Sequence, residues 1–199
     1  MKTVKVGING FGRIGRAFLK IAWDRPEIEI VAVNDLGDIT NMAYLLKYDT
    51  VYKKFEHAIN NSENQIIIDD KKISFISEKD ATKLPWKDLN IDIVIESTGI
   101  FTSYAASKIH LNAGAKKVVV TGPMKDEPQE IPGATILMGI NEEKFKDSII
   151  TSNASCTTNA ASPIISILDE ALGIEKAILN TIHGYTASQS LVDGTSKKD

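Results

Sequence analysis

Residues 4–15 read VKVGINGFGRIG: a short β-branched run that meets three glycines and then opens into a helical pattern. Few stretches restrict a fold more. Gly10-Phe11-Gly12-Arg13-Ile14-Gly15 fits G-x-G-x-x-G, a match that carries weight only through its flanks. Val4–Ile8 has the composition of a strand, and Ile14, Phe18, Ile21 and Ala22 recur at helical spacing within residues 12–24. Glu29–Asp35 (EIVAVND) forms the next strand, and Asp35 closes it twenty positions after Gly15. Together the pieces predict a βαβ unit with a right-handed crossover.

Each part has a physical task. Gly10 permits a tight turn, Gly12 lets the backbone approach a pyrophosphate, and Gly15 lets helix and strand pack closely. The helix start offers unpaired N–H groups and the positive end of a dipole to phosphate. Asp35 can accept hydrogen bonds from ribose hydroxyls and would repel a 2′-phosphate, which favours NAD over NADP.

The alternation continues along the chain. Asn41–Tyr48 predicts a short helix, and Gln65–Ser77 a hairpin turning at Asp69–Lys72. Ile91–Ser97 is the near-continuous apolar strand expected where both faces of a sheet are covered. A helix over Tyr104–Ala113 stops at Gly114, and strands follow at Lys117–Thr121 and Thr135–Ile140. The expected fold is α/β: a doubly wound, mostly parallel Rossmann-type sheet followed by the start of a second, α+β domain. The pattern changes near residue 150, dividing the chain into a dinucleotide-binding domain (1–150) and the beginning of a second domain (151–199). In that second part Ile149–Ser152 predicts a strand, Thr157–Leu172 a helix kinked at Pro163, and Ala177–His183 a further strand.

The only cysteine of the 199 residues, Cys156, sits in SNASCTTN, among small polar neighbours where a structural thiol would be surrounded by apolar ones. A buried cysteine in a tight turn is the plain alternative. With Ser152 or Asn153 near the N-cap, Cys156 opens the following helix, whose positive end stabilises a thiolate. Lowering a thiol pKa of about 8.5 by two units requires about 2.7 kcal/mol. A helix end supplies about 0.3–1 kcal/mol and about 2 at best. A second partner is required. His183, at the end of the next expected strand, is the leading candidate for a base. His57, in a polar loop, and His110, on a helix packing on the sheet, are the competitors. One cysteine and three scattered histidines give no metal-ligand spacing, so no metal is expected.

A net charge of -3 gives no electrostatic case for nucleic acid as a main partner. A single cysteine excludes an intrachain disulfide framework and fits a reducing compartment. The N-terminus lacks the pattern of a secretory signal, and no apolar run approaches the length of a membrane span, so a cytoplasmic location is expected and no membrane partner.

INGFGRIGR, NDL (Asn34–Leu36), ESTGIF (Glu96–Phe101), TGPMKD (Thr121–Asp126), SNASCTTN and Thr181-Ile182-His183-Gly184-Tyr185-Thr186, in this order, resemble the phosphorylating glyceraldehyde-3-phosphate dehydrogenases. The resemblance implies a fold and a chemistry. Cys156 would be the nucleophile, forming a hemithioacetal with the aldehyde of glyceraldehyde 3-phosphate. His183 would activate the thiol and take the hydroxyl proton as hydride passes to the nicotinamide of NAD. Inorganic phosphate would cleave the resulting thioester to 1,3-bisphosphoglycerate. By the same resemblance Asn9, Gly10, Phe11, Gly12, Arg13, Ile14, Gly15, Asp35, Lys79 and Thr121 would bind the cofactor. Ser155, Thr157 and Thr186 would bind substrate or the attacking phosphate.

Erythrose 4-phosphate is the alternative substrate, and a non-catalytic NAD-binding module the alternative for the chain by itself. The family resemblance also implies a homotetramer. Lys79 stands where many members have arginine, Thr195 where many have proline, and Ala160 where many have a second cysteine. Without that second thiol, an oxidised Cys156 has no neighbour to resolve it. The family pattern runs on well beyond residue 199, so the chain is expected to be a partial one.

Overall fold

A computed structural model describes residues 3–185. The strand assignments are β1 (Val4–Asn9), β2 (Ile28–Asn34), β3 (Ile59–Ser62), β4 (Gln65–Ile68), β5 (Lys71–Ile76), β6 (Ile93–Glu96), β7 (Lys117–Val120), β8 (Gly133–Thr135) and β9 (Ile150–Ser152). Among the described residues α1 (Arg13–Ala22), α2 (Ile39–Lys47) and α3 (Tyr104–Asn112) lie between strands, and α4 (Cys156–Leu172) follows β9. The strands form one sheet in the order β3-β4-β5-β2-β1-β6-β7-β9-β8. Pairing is parallel from β5 to β8, and antiparallel only where β3, β4 and β5 meet.

Period-two alternation explains why both faces are covered. Val6, Ile8 and Ile95 point to the face that also buries Leu19 and Ala22 of α1 and Leu46 of α2. Ala32 and Val94 point the other way, onto Trp86, Ile91 and Ala115, with Ile109 of α3 against them. The sheet is thus doubly wound, as the βαβ pattern predicts. The chain runs outward from β1 to β2 and β5, then returns to β6 on the other side of β1. The switch of direction lies between β1 and β6, and ligands of such sheets bind beyond the strand carboxyl ends at that point.

Several local expectations are corrected. On α1 the buried residues are Gly15, Arg16, Leu19 and Ala22, whereas Ile14 and Ile21 are exposed. Arg16 takes the inner face because its guanidinium donates to the Phe11 carbonyl at 2.9 Å. The hairpin turns at Asp69-Asp70, both with positive φ, and its outer neighbour β3 was not anticipated. The strand expected over Thr135–Ile140 is only Gly133–Thr135; Asn141 folds back, its side chain accepting from Leu137 N and donating to the Thr135 carbonyl. The strand expected over Ala177–His183 does not form: this segment has no regular structure and no strand partner among the described residues, and Ile178 and Ile182 are each 98% exposed. Thr151 and Ser152 are paired with β7 and β8, so the sheet continues past residue 150.

Candidate active site

The expected cofactor residues converge on the carboxyl edge of the sheet. Asn9 ends β1 and Gly10–Gly15 follow it, Asp35 follows β2, Lys79 comes after β5, and Thr121 follows β7. Gly10 has φ +91°, and a Cβ there would lie 2.6 Å from Thr98 N, so only glycine fits the turn. A Cβ on Gly15 would lie 2.2 Å from the Gly10 carbonyl oxygen, the close helix–loop approach expected of the third glycine. Gly12 is different. A Cβ there would meet nothing within 4 Å, so the protein leaves open space over its backbone.

Gly12 is also the N-cap of α1, with no side-chain capping bond and no acidic residue in the first turn. An uncapped helix start under an open cradle is what a pyrophosphate requires. Asp35 is half-buried, accepting from Phe11 N at 2.6 Å and Gly37 N at 2.8 Å. Its carboxylate is thereby held beside the glycine loop with acceptor capacity left for ribose hydroxyls. The residues present fit a dinucleotide.

Other members of the set are placed differently from a simple contact list. The Phe11 side chain is in the core, and its backbone N–H and carbonyl are bonded to Asp35 and Arg16. The Asn9 side chain is buried and bonded to Glu96 and Asn34. Arg13 Nη1 lies 3.5 Å from Asp49, with the guanidinium over the Tyr52 ring. Ile14 and Lys79 are exposed, and Thr121 Oγ1 donates to the Glu96 carbonyl at 3.2 Å.

The thiol lies just beyond the same edge. After β9 the chain passes through Ala154, which is buried with φ +59°, and Ser155 caps α4. Ser155 Oγ accepts from Thr158 N at 3.0 Å. The cap is therefore Ser155, not Ser152 or Asn153. The Ser152 hydroxyl instead donates to the Gly122 carbonyl and accepts from Ala154 N. Cys156 becomes the first helical residue, with its sulfur exposed.

Cys156 Sγ and His183 Nε2 are 3.1 Å apart. The Nδ1 of His183 lies 2.7 Å from the Gly184 carbonyl, which only accepts; the network therefore puts a proton on Nδ1 and leaves Nε2 free to receive one from sulfur. His183 draws the Cys156 thiol below its ordinary range, helped by the Thr157 N–H at the helix start. The Gly184 carbonyl raises His183, and the sulfur adds to it. Both shifts favour a thiolate–imidazolium pair. Behind it, α4 and the segment 174–184 border an open groove of about 710 Å³, whose apolar wall includes Ile164, Ile165 and Leu168.

The competing histidines are elsewhere. His57 packs against Phe55 and bonds Asp69, and His110 is buried against Glu96. Thr186 lies outside the described residues. No cluster of metal-ligating side chains occurs among the described residues. The buried Glu96–His110 pair was not anticipated; a carboxylate ending an apolar strand (IVIE) is the signal that marked it.

A parallel, doubly wound sheet with an open glycine cradle at its switch point defines a dinucleotide-binding protein of the Rossmann type. Residues 4–104 match the model of the glyceraldehyde 3-phosphate dehydrogenase NAD binding domain, and residues 155–199 match that of the C-terminal domain. The chain belongs to the glyceraldehyde 3-phosphate dehydrogenase family, and its dinucleotide cofactor is NAD. It is 45% identical over 197 residues to the cytosolic glyceraldehyde-3-phosphate dehydrogenase of Trypanosoma brucei brucei, covering 99% of this chain and 58% of that protein. The glyceraldehyde-3-phosphate dehydrogenase of Thermotoga maritima is 48% identical over 192 residues, covering 95% of this chain and 56% of that protein. That of Buchnera aphidicola subsp. Schizaphis graminum is 48% identical over 197 residues, covering 99% and 58%. The chain thus spans a little under three fifths of the length of these relatives. Among the described residues no helix is long and apolar enough to cross a membrane.

Proposed function

We propose that the protein is an NAD-dependent, phosphorylating glyceraldehyde-3-phosphate dehydrogenase in which Cys156 is the nucleophile and His183 its base. The observation that carries this reading is the 3.1 Å contact between Cys156 Sγ and His183 Nε2 at the start of α4. Bound NAD supplies the acceptor for the electron pair that leaves the substrate. The chain's own groups do the rest. His183 Nε2 takes the thiol proton, and the Cys156 thiolate attacks the aldehyde carbon. The imidazolium returns that proton to the new alkoxide, giving a hemithioacetal. As the carbon is oxidised, Nε2 takes the hydroxyl proton, and a thioester remains on sulfur. An oxygen of inorganic phosphate then attacks the acyl carbon, the C–S bond breaks, and the acyl phosphate departs. Thr157 and Thr186 hold the substrate or attacking phosphate, and Ser155 supports them through the helix cap.

In this reading the division between cofactor and catalytic parts falls between Ser152 and Cys156, after the last sheet strand. The working protein is a homotetramer, as the family resemblance implies, and its location is cytoplasmic, in keeping with the single cysteine. The test is mass spectrometry of the protein mixed with NAD and glyceraldehyde 3-phosphate without phosphate. An acyl adduct on Cys156 that phosphate discharges is expected, and Cys156→Ala abolishes it while leaving NAD affinity within about twofold. NAD binding without any adduct would make the chain a cofactor-binding module instead.

A further inference from the structure

Under the glycine loop lies a buried polar chain that the proposed chemistry does not use. Glu96 ends β6 and is 2% exposed, yet four donors converge on its carboxylate. Oε2 accepts from Asn9 Nδ2 at 2.6 Å and from His110 Nε2 at 2.8 Å. Oε1 accepts from Thr98 N at 2.8 Å and from the Thr98 hydroxyl. The proton on His110 Nε2 is assigned by its other nitrogen: the Trp86 indole can only donate, and it reaches Nδ1 at 3.2 Å. On the far side, Asn34 Nδ2 donates to Asn9 Oδ1 at 2.7 Å and to the Glu78 carbonyl at 3.0 Å, while Glu78 N donates to Asn34 Oδ1. The donor-only Trp86 indole, the acceptor-only Glu96 carboxylate and the Glu78 backbone therefore agree on the direction of every bond from Trp86 to Glu78.

The residue this chain grips is Asn9, which immediately precedes the Gly10 turn. Its carbonyl accepts from Ser97 N at 2.8 Å, and Gly10 N donates to the Asn34 carbonyl at 2.8 Å. Side chain and backbone of Asn9 are thus clamped between β2 and β6, and the clamp decides where the pyrophosphate loop begins. We propose that Glu96 and His110 are positioning residues for NAD: they orient the Asn9 amide and thereby fix where the Gly10–Gly12 turn delivers the start of α1, whose backbone N–H groups face the pyrophosphate. The proposal rests on NAD as cofactor and is independent of the thiol chemistry.

Charge and positioning make opposite predictions here. A buried carboxylate beneath an anionic ligand repels it, so electrostatics alone would make Glu96→Gln bind NAD more tightly. The positioning role requires weaker binding. A Gln amide NH2 must face either the Asn9 and His110 donors or the Thr98 N–H; relieving the first by flipping Asn9 sets its NH2 against that of Asn34. The test is calorimetric titration of the wild-type chain and Glu96→Gln with NAD, ADP-ribose and adenosine. NAD and ADP-ribose are expected to weaken at least about tenfold, as when a group supporting a ligand-binding residue is lost, and adenosine less than about twofold. Unchanged or tighter NAD binding, or equal losses for all three ligands, overturns the proposal. Should Glu96→Gln fail to fold, His110→Gln and His110→Leu decide. The Gln variant keeps a donor for Glu96 and stays within about threefold of wild type, whereas Leu loses about tenfold. Equal affinities for these two variants overturn the proposal. A wild-type chain that does not bind NAD overturns the cofactor assignment and this proposal with it.

Discussion

The glycine loop and the thiol helix lie beyond the same sheet edge but are built in different ways. The loop rests on buried strands, and Asn9, Glu96 and His110 have their polar groups bonded inside the protein. Helix α4 buries none of its seventeen residues, and Leu172 is 81% exposed. Ile164 and Ile167 are also 60% and 65% exposed, while Ile165 and Leu168 are partly covered in the groove beside residues 174–184. The cofactor site is therefore held by tertiary packing, and the thiol site by short-range bonds: the Ser155 cap, the Thr157 N–H and the His183 ring. Pro163 removes one of the hydrogen bonds of α4.

The largest effects are expected in the packed region. Gly15→Ala drives a methyl into the Gly10 carbonyl, and a loss of about 3 kcal/mol in urea unfolding is expected, together with NAD binding. Gly12→Ala sharpens the point. Its methyl has open space, so the unfolding midpoint is expected to stay within about 0.5 kcal/mol of wild type while NAD affinity falls, because only the ligand meets the new atom. A matching drop in stability for both variants would erase the distinction between a packing glycine and a cradle glycine.

Next comes the thiol. His183 is the first cause of the lowered Cys156 pKa, so His183→Ala should move the midpoint of iodoacetamide reactivity upward, toward about 8.5. At pH 6–7 the alkylation rate is expected to drop by about tenfold; well above the free-thiol pKa the two proteins converge. Thiolate is favoured above the lowered Cys156 midpoint, and the ion pair is lost upward as pH rises through the raised His183 value. An unchanged profile would mean that the helix start alone holds the anion.

The smallest effect is expected from Ser155→Ala. Loss of the cap costs α4 about 1 kcal/mol. Since α4 contributes no buried residue, hydrogen exchange should accelerate in its first turn while the sheet amides and the global midpoint stay put. A global shift would show that α4 is coupled to the sheet more tightly than its exposure indicates.

The same contrast explains what was legible from residues alone. The β1–loop–α1 unit could be read because its glycines answer local demands within a dozen residues. Cys156 at a helix start was equally local. The exact cap was not, because Ser152, Asn153 and Ser155 are all competent, and tertiary bonding to Gly122 takes Ser152 out of contention. The face of α1 departs from its apolar periodicity because the Phe11 carbonyl, five residues back in the glycine loop, draws Arg16 inward. Residues 177–183 have strand composition, but a strand exists only with a neighbour to pair. The Glu96–His110 pair is half legible for a similar reason: a carboxylate ending the apolar strand IVIE stands out, but its partner lies fourteen positions on and only the tertiary fold brings the two together.

The route from Ser152 to Cys156 has a mechanical corollary. Only three residues join the last rung of the ladder to the sulfur, and the middle one, Ala154, is buried in a left-handed kink. The reactive atom is moored to the sheet on a tether with almost no slack, so the register of β9 against β7 sets its height above the strand ends. Any shift of that edge when nucleotide arrives is delivered to the nucleophile directly.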